Sequence, residues 1–169
     1  TQTTADLFPP PRGPPVSFVA TANPPIEAED AQVENDPWFP AIEAPKVREA
    51  CLLDGTVTAA RLAEAIAGAI DAVNAELRTY KADQLAQGVE SLADAGDGRQ
   101  AGRYLRAIHA HVQADLAEAY REIDTTPHND SKTERIRERI EAKVDEHRRK
   151  LRWAISDLLG RPRTTVELI

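Results

Sequence analysis

The chain has 169 residues, few aromatics (5%) and a formal net charge of −7. That length suits one domain with a modest core. An acidic balance argues against a protein that coats nucleic acid, which would be basic, and no run of about 18 apolar residues is present to span a membrane.

The single cysteine, Cys51, excludes an intrachain disulfide and fits a reducing compartment. Beside Leu52 and Leu53 it reads as a small buried hydrophobe rather than a nucleophile. No secretory leader is expected ahead of Thr1, and the absence of methionine leads us to expect that an initiator residue has been removed.

Residues 1–44 carry nine of the 12 prolines. Such density blocks helices and central strands and favours an extended, polyproline-like arm. At about 3.1 Å per residue, some 40 residues could reach on the order of 120 Å. The arm also holds large apolar groups that a plain linker would lack. Phe8, Phe18, Trp38 and Phe39 are therefore expected to dock on neighbouring protein. A solvated leader is the alternative.

From residue 45 to 160 the sequence predicts a helical bundle. A short first helix opens at Pro45, a residue suited to the first helical position. It carries Val47 and Cys51 towards the core, with Leu52 as a further candidate. Asp54-Gly55 turns the chain.

A second helix is predicted from about Thr58, a suitable N-cap, to Ala86. Leu62, Ile66, Ile70, Val73 and Leu77 repeat on one face. Its alanines lie all round the circumference, which suits close approach from several sides or plain helix propensity.

Residues 88–98 form a loop rich in glycine and aspartate. Ala95-Gly96-Asp97-Gly98 lacks the further ligands of a calcium loop and reads as a turn. A third helix, about 99–123, is striped by Leu105, Ile108, Val112, Leu116 and Ile123. A fourth opens on a capping box, Ser131 to Glu134. Its core stripe is Ile136, Ile140, Val144, Leu151, Ile155 and Leu158, and Gly160 and Pro162 stop it. About 29 helical residues make a rod of roughly 43 Å.

Residues 161–169 end in a β-type run. Thr164, Val166 and Leu168 alternate with Thr165, Glu167 and Ile169 across its two faces. A lone strand is unstable in water and needs the edge of another sheet. Arg161, Arg163, Thr164, Val166, Leu168 and Ile169 are the expected contacts to a partner or neighbouring copy. The fold class is thus all-α: a bundle of about four helices with an extended Pro-rich N-terminal arm and a short C-terminal β-type tail.

No sequence pattern points to catalysis, a cofactor or a metal. His109 and His111 lie two apart on a helix and point to different faces. His128 falls in a loop and His147 on the fourth helix. No zinc, phosphate-loop or nucleophile-elbow motif occurs. Single replacement of His109, His128 or Cys51 should leave assembly near normal. Residues 131–163 hold 11 Lys or Arg against 6 Asp or Glu, whereas residues 1–48 hold 3 against 7. The fourth helix reads either as a solvated face or as a basic surface matched to an acidic partner or arm.

Asp54-Gly55-Thr56-Val57-Thr58-Ala59-Ala60-Arg61-Leu62 and the stretch from Trp153 to Arg163 resemble the head completion proteins (GpL type) of contractile-tailed temperate phages. Ala72 to Leu77, Tyr120 to Thr126 and the approach from Asp36 to Pro40 fit the same pattern. The resemblance covers about residues 36–169. It implies an all-helical, non-enzymatic adaptor that forms a ring on the portal vertex once the head is full of DNA. Such a ring stabilises the head and offers a docking surface to neck or tail-terminator proteins. Related connectors are twelve-fold, which implies twelve copies here. DNA would pass through the channel without sequence recognition, and an acidic wall would not hold it back. The implied location is the virion, and the host cytoplasm during assembly. Assembly is expected to be weak without the portal as template. A helical chaperone or regulator using its Pro-rich arm as a ligand is the alternative, and an enzyme with a hidden site a third.

Overall fold

The computed structural model describes residues 32–124 and 131–162; the side chains of 121–124 and 131–133 are not described. The described elements are β1 (Gln32–Val33), β2 (Ile42–Glu43), α1 (Ala44–Ala50), α2 (Ala59–Glu76), α3 (Arg78–Ala86), α4 (Gln100–Asp124) and α5 (Ser131–Leu158). The fold is mainly helical, as expected. Its only described sheet is the antiparallel pair β1–β2, with Gln32 opposite Glu43 and Val33 opposite Ile42.

The core lies where α2 and α5 pack on α4. Leu62, Ile66, Ile70 and Val73 of α2 meet Ile108 and Val112 of α4, and Ile155 and Leu158 of α5 join them. The α4 stripe recurs every three or four residues, as one buried helix face requires. Leu105 and Leu151 are partly buried against this core. Ile140 is half-buried and stands outside it.

Two elements differ from the sequence expectation. The second helix is not continuous: it bends at Leu77, which ends α2 and begins α3 (φ −88°, ψ 1°). Leu77 N–H still donates to Val73 O (3.0 Å) and Lys81 N–H to Leu77 O (2.8 Å). The bend therefore costs few hydrogen bonds, and it turns Tyr80 towards Trp38 (ring centroids 6.3 Å apart).

The packed body also starts before residue 44. Asn35-Asp36-Pro37-Trp38-Phe39-Pro40 folds as a turn: the Asp36 carboxylate accepts from Trp38 N–H (3.0 Å), and Asp36 O accepts from Phe39 N–H (2.9 Å). Aspartate before proline favours this local turn. It drives Trp38 and Phe39, each only 5% exposed, into the core. Phe39 stacks on Tyr104 at 4.9 Å, and Trp38 Nε1 donates to Val89 O at 3.2 Å.

The helix stop at Gly160 is as expected. Gly160 is left-handed (φ 65°), and Arg161 N–H donates to Ser156 O at 2.8 Å. A residue with a side chain is strained in that conformation, so glycine fits the stop.

Candidate interaction surface

The polar interior fixes how the chain's two ends enter and leave the body. The Tyr104 hydroxyl donates to Asn74 Oδ1 (2.8 Å) and accepts from Asn35 Nδ2 (3.2 Å). Asn35 Nδ2 also reaches Pro40 O (2.8 Å), and Asn74 Nδ2 donates to Asn35 Oδ1 (3.0 Å). Burial pushes the Tyr104 phenol up to about 12, so it stays a neutral donor. Lys81 pairs with Asp36 beside this cluster, and the Lys81 hydrogen bond holds that carboxyl below its usual range. Buried Gln100 donates to Leu158 O (3.2 Å) and Tyr80 Oη (3.3 Å). Gln100 and Tyr104 are one turn apart at the start of α4. The entry at Asn35 and the exit after Leu158 therefore lie at the same end of the bundle.

The opposite end is built by α4 and α5. Arg148 pairs with Glu118, and Arg106 lies 4.0 Å from Asp157, so the two helices run antiparallel. From Glu134 to Lys143 every α5 residue but Ile140 is exposed. These ten positions, about 15 Å of helix, project beyond the core with Ile136 exposed.

One flank carries a groove between α4 and α5, with a volume of about 260 Å³. Arg106, His109, Ala110 and Gln113 line it from α4, and Lys150, Trp153, Ala154 and Asp157 from α5. Trp153 is 36% exposed, and the Arg149 guanidinium sits over its ring at 5.3 Å. Arg149, Lys150 and Arg106 make the rim predominantly basic. Burial holds the His109 imidazole below its usual range, so it is mostly neutral at pH 7.

The same flank continues to the end of α1. Cys51 Sγ contacts His109 O at 3.8 Å, and burial raises its thiol to about 11, which makes it a poor nucleophile. Next to it, Leu52 is 90% exposed with φ 53°. Sequence reasoning considered Leu52 for the core; the left-handed turn after α1 points it to solvent instead. Thr56 and Tyr120 hydroxyls bond at 2.7 Å beyond it. Leu52, Tyr120 and Trp153 are all among the exposed large hydrophobics.

The expected site residues separate into three groups. Leu62, Ile66, Ile70, Ile108, Val112 and Ile155 are buried in the core. Trp38 and Phe39, expected to dock on a neighbour, are buried in their own chain, because the Asp36 turn folds them inward. Arg161 is exposed at the tail end of the bundle. Phe8, Phe18, Arg163, Thr164, Val166, Leu168 and Ile169 lie outside the described residues, as does His128. The groove and Leu52 were not anticipated as surfaces. The spacing of Arg149 and Trp153, one helical turn apart, was their only sequence signal.

Among the described residues no cluster of three His, Cys, Asp or Glu side chains could hold a metal. The Asp97 carboxylate is engaged by Arg103 (2.9 and 3.0 Å) and by Arg99 N–H (3.1 Å). No described helix is long and apolar enough to cross a membrane.

This is a small helical bundle with charged flanks, entered at Asn35 and left after Leu158 at one pole. The family profile of phage head completion proteins (GPL) matches residues 33–169. The head completion/stabilization protein of Escherichia phage P2 is 36% identical over 162 residues, spanning 92% of this chain and 94% of that protein. No solved structure matches significantly. The chain belongs to the phage head completion protein (GPL) family. It is thus a structural protein of the phage head.

Proposed function

We propose that the protein is the head-tail adaptor of a tailed phage. It forms a ring on the portal vertex after DNA packaging, stabilises the filled head and presents a docking surface to neck or tail-terminator proteins. The supporting observation is the two-ended body: Asn35 and Leu158 are tied to one end of α4, while α5 projects at the other. A connector needs two such distinct ends.

In this reading the C-terminal tail, with Arg161, Arg163, Thr164, Val166, Leu168 and Ile169, pairs with the portal or a neighbouring copy. Phe8 and Phe18 dock the arm on neighbouring protein. The portal sets the copy number, twelve, and DNA passes the ring without sequence recognition. The role is non-enzymatic. The subunit assembles in the host cytoplasm and remains in the virion.

The test is mass measurement of the purified chain with and without portal, at micromolar concentration. The expected result is a subunit that stays small alone and adds as a closed ring to the portal. A chain that never joins the portal, but binds one non-virion protein tightly, would replace the adaptor by a helical binding module.

A further inference from the structure

One face of α2 is left bare by the described residues. Ala60, Glu64, Ala67, Gly68, Asp71 and Ala75 are all exposed and share the side of the helix opposite the buried Leu62, Ile66 and Val73. Gly68 sits in the middle of α2, where a glycine weakens a helix. The described packing does not require it: a Cβ there would meet Asp115 Oδ2 at an ordinary 4.0 Å. Glu64 and Asp71 lie two turns apart and form no ion pair with any described residue.

The α4–α5 groove has the complementary character. Trp153 is exposed beside Ala110 and Ala154, and Arg106, Arg149 and Lys150 outweigh the Asp157 carboxylate at the rim. The rim cations are only loosely held: Arg106 is 4.0 Å from Asp157, and Lys150 pairs with Glu146 on an exposed surface. Exposed pairs of this kind exchange at little cost. A helix face of small residues lets a protruding indole reach its backbone, and tryptophan and arginine are the common anchors of protein interfaces. Groove against groove would bring two basic rims together, which disfavours two-fold pairing of this flank.

The two faces also point apart. On α4, Tyr104 bonds Asn74 of α2 and Asp115 lies beside Gly68, whereas Arg106, His109 and Gln113 line the groove. At about 100° per residue these two sets occupy opposite sides of α4. Each copy therefore offers the α2 face on one flank and the groove on the other, as a repeating head-to-tail contact requires. We propose that the α4–α5 groove of one copy receives the exposed α2 face of the next, with Trp153 against Ala67 and Gly68 and the rim cations on Glu64 and Asp71. Closure of these contacts into a ring rests on the adaptor reading above; the pairing of the two faces does not.

The test places the photo-cross-linking residue p-benzoylphenylalanine at position 67 of the full chain. Heavy- and light-isotope chains are mixed at about millimolar concentration, where a weak contact is populated. They are irradiated, and the linked peptides are read by mass spectrometry. The expected links join position 67 to residues 106–113 or 149–157 and include mixed-isotope pairs. E64K/D71K in the cross-linker-bearing chain should lower the yield about fivefold or more, and mixing that chain with an R106E/K150E partner should restore it. Gly68→Leu should lower the yield as well while raising the urea midpoint, which separates a blocked contact from a damaged fold. Links to other segments, links confined to one isotope, or a yield indifferent to the charge reversals would each overturn the proposal. A chain that joins the portal without these links sinks the contact and keeps the adaptor. Links from a chain that never joins the portal keep the contact and sink the adaptor.

Discussion

Leu52 carries two costs in one side chain. A left-handed backbone disfavours any residue with a Cβ by about 1–2 kcal/mol, and its apolar surface is 90% exposed. Leu52→Gly should therefore raise stability by about 1 kcal/mol, read as an upward shift of the urea midpoint. If the leucine is kept as a contact, the same variant should join the portal less well; equal joining would leave the exposed side chain unexplained. His147 shows a different cost. Its Nδ1 is buried without a described hydrogen-bond partner, and burial, then Lys150, hold its imidazole below the usual range. Below about pH 6.5 the unfolded chain takes up this proton first, so stability present above that pH is lost as the pH falls. His109 is shifted in the same direction by burial. His147→Leu should stabilise the fold by roughly 1 kcal/mol at neutral pH. It should also flatten, without abolishing, the fall between about pH 7 and 5; an unchanged slope in denaturation at several pH values would assign the dependence elsewhere.

At the level of elements, the helix stripes were legible because burying one face imposes a 3.6-residue period. Ile108 and Val112 on α4, and Ile155 on α5, fell where that period put them. The bend at Leu77 was not legible, since no glycine or proline marks it and the apolar repeat runs straight through. Its cause is tertiary: Tyr80 and Lys81 turn to meet Trp38 and Asp36. The entry turn was missed for a similar reason. Proline-rich composition reads as an arm, yet Asp36-Pro37 also initiates turns, and only the Tyr104 cluster decides between them. That cluster makes a test of the element. Tyr104→Phe keeps the ring stacked on Phe39 but leaves Asn74 Oδ1 and Asn35 Nδ2 short of a partner. The expected loss is about 1–3 kcal/mol, with faster amide exchange confined first to residues 35–40. Global exchange with no such local opening would show that the turn is not a separable unit.

For the whole molecule, the decisive variant lacks residues 163–169. The helices end before the deletion, at Leu158 and the Gly160 stop, so the far-ultraviolet helical signal should be unchanged. Portal association should fall below detection by mass measurement. Unchanged affinity would rule out the strand-pairing role of the tail. The surface properties behind assembly were only partly legible: the basic stretch of α5 was visible as a charge count, but its convergence with Trp153 and Ala110 into a groove depends on how α4 and α5 face each other. That Asn35 and Leu158 share one pole of the bundle has one more consequence. Copies standing side by side would present a fringe of tails along a single rim. Each grip could then be feeble and short-lived, because a departing subunit must release several at once. A partner with one matching patch would be sampled and let go, whereas a partner repeating that patch around an axis would be held by avidity.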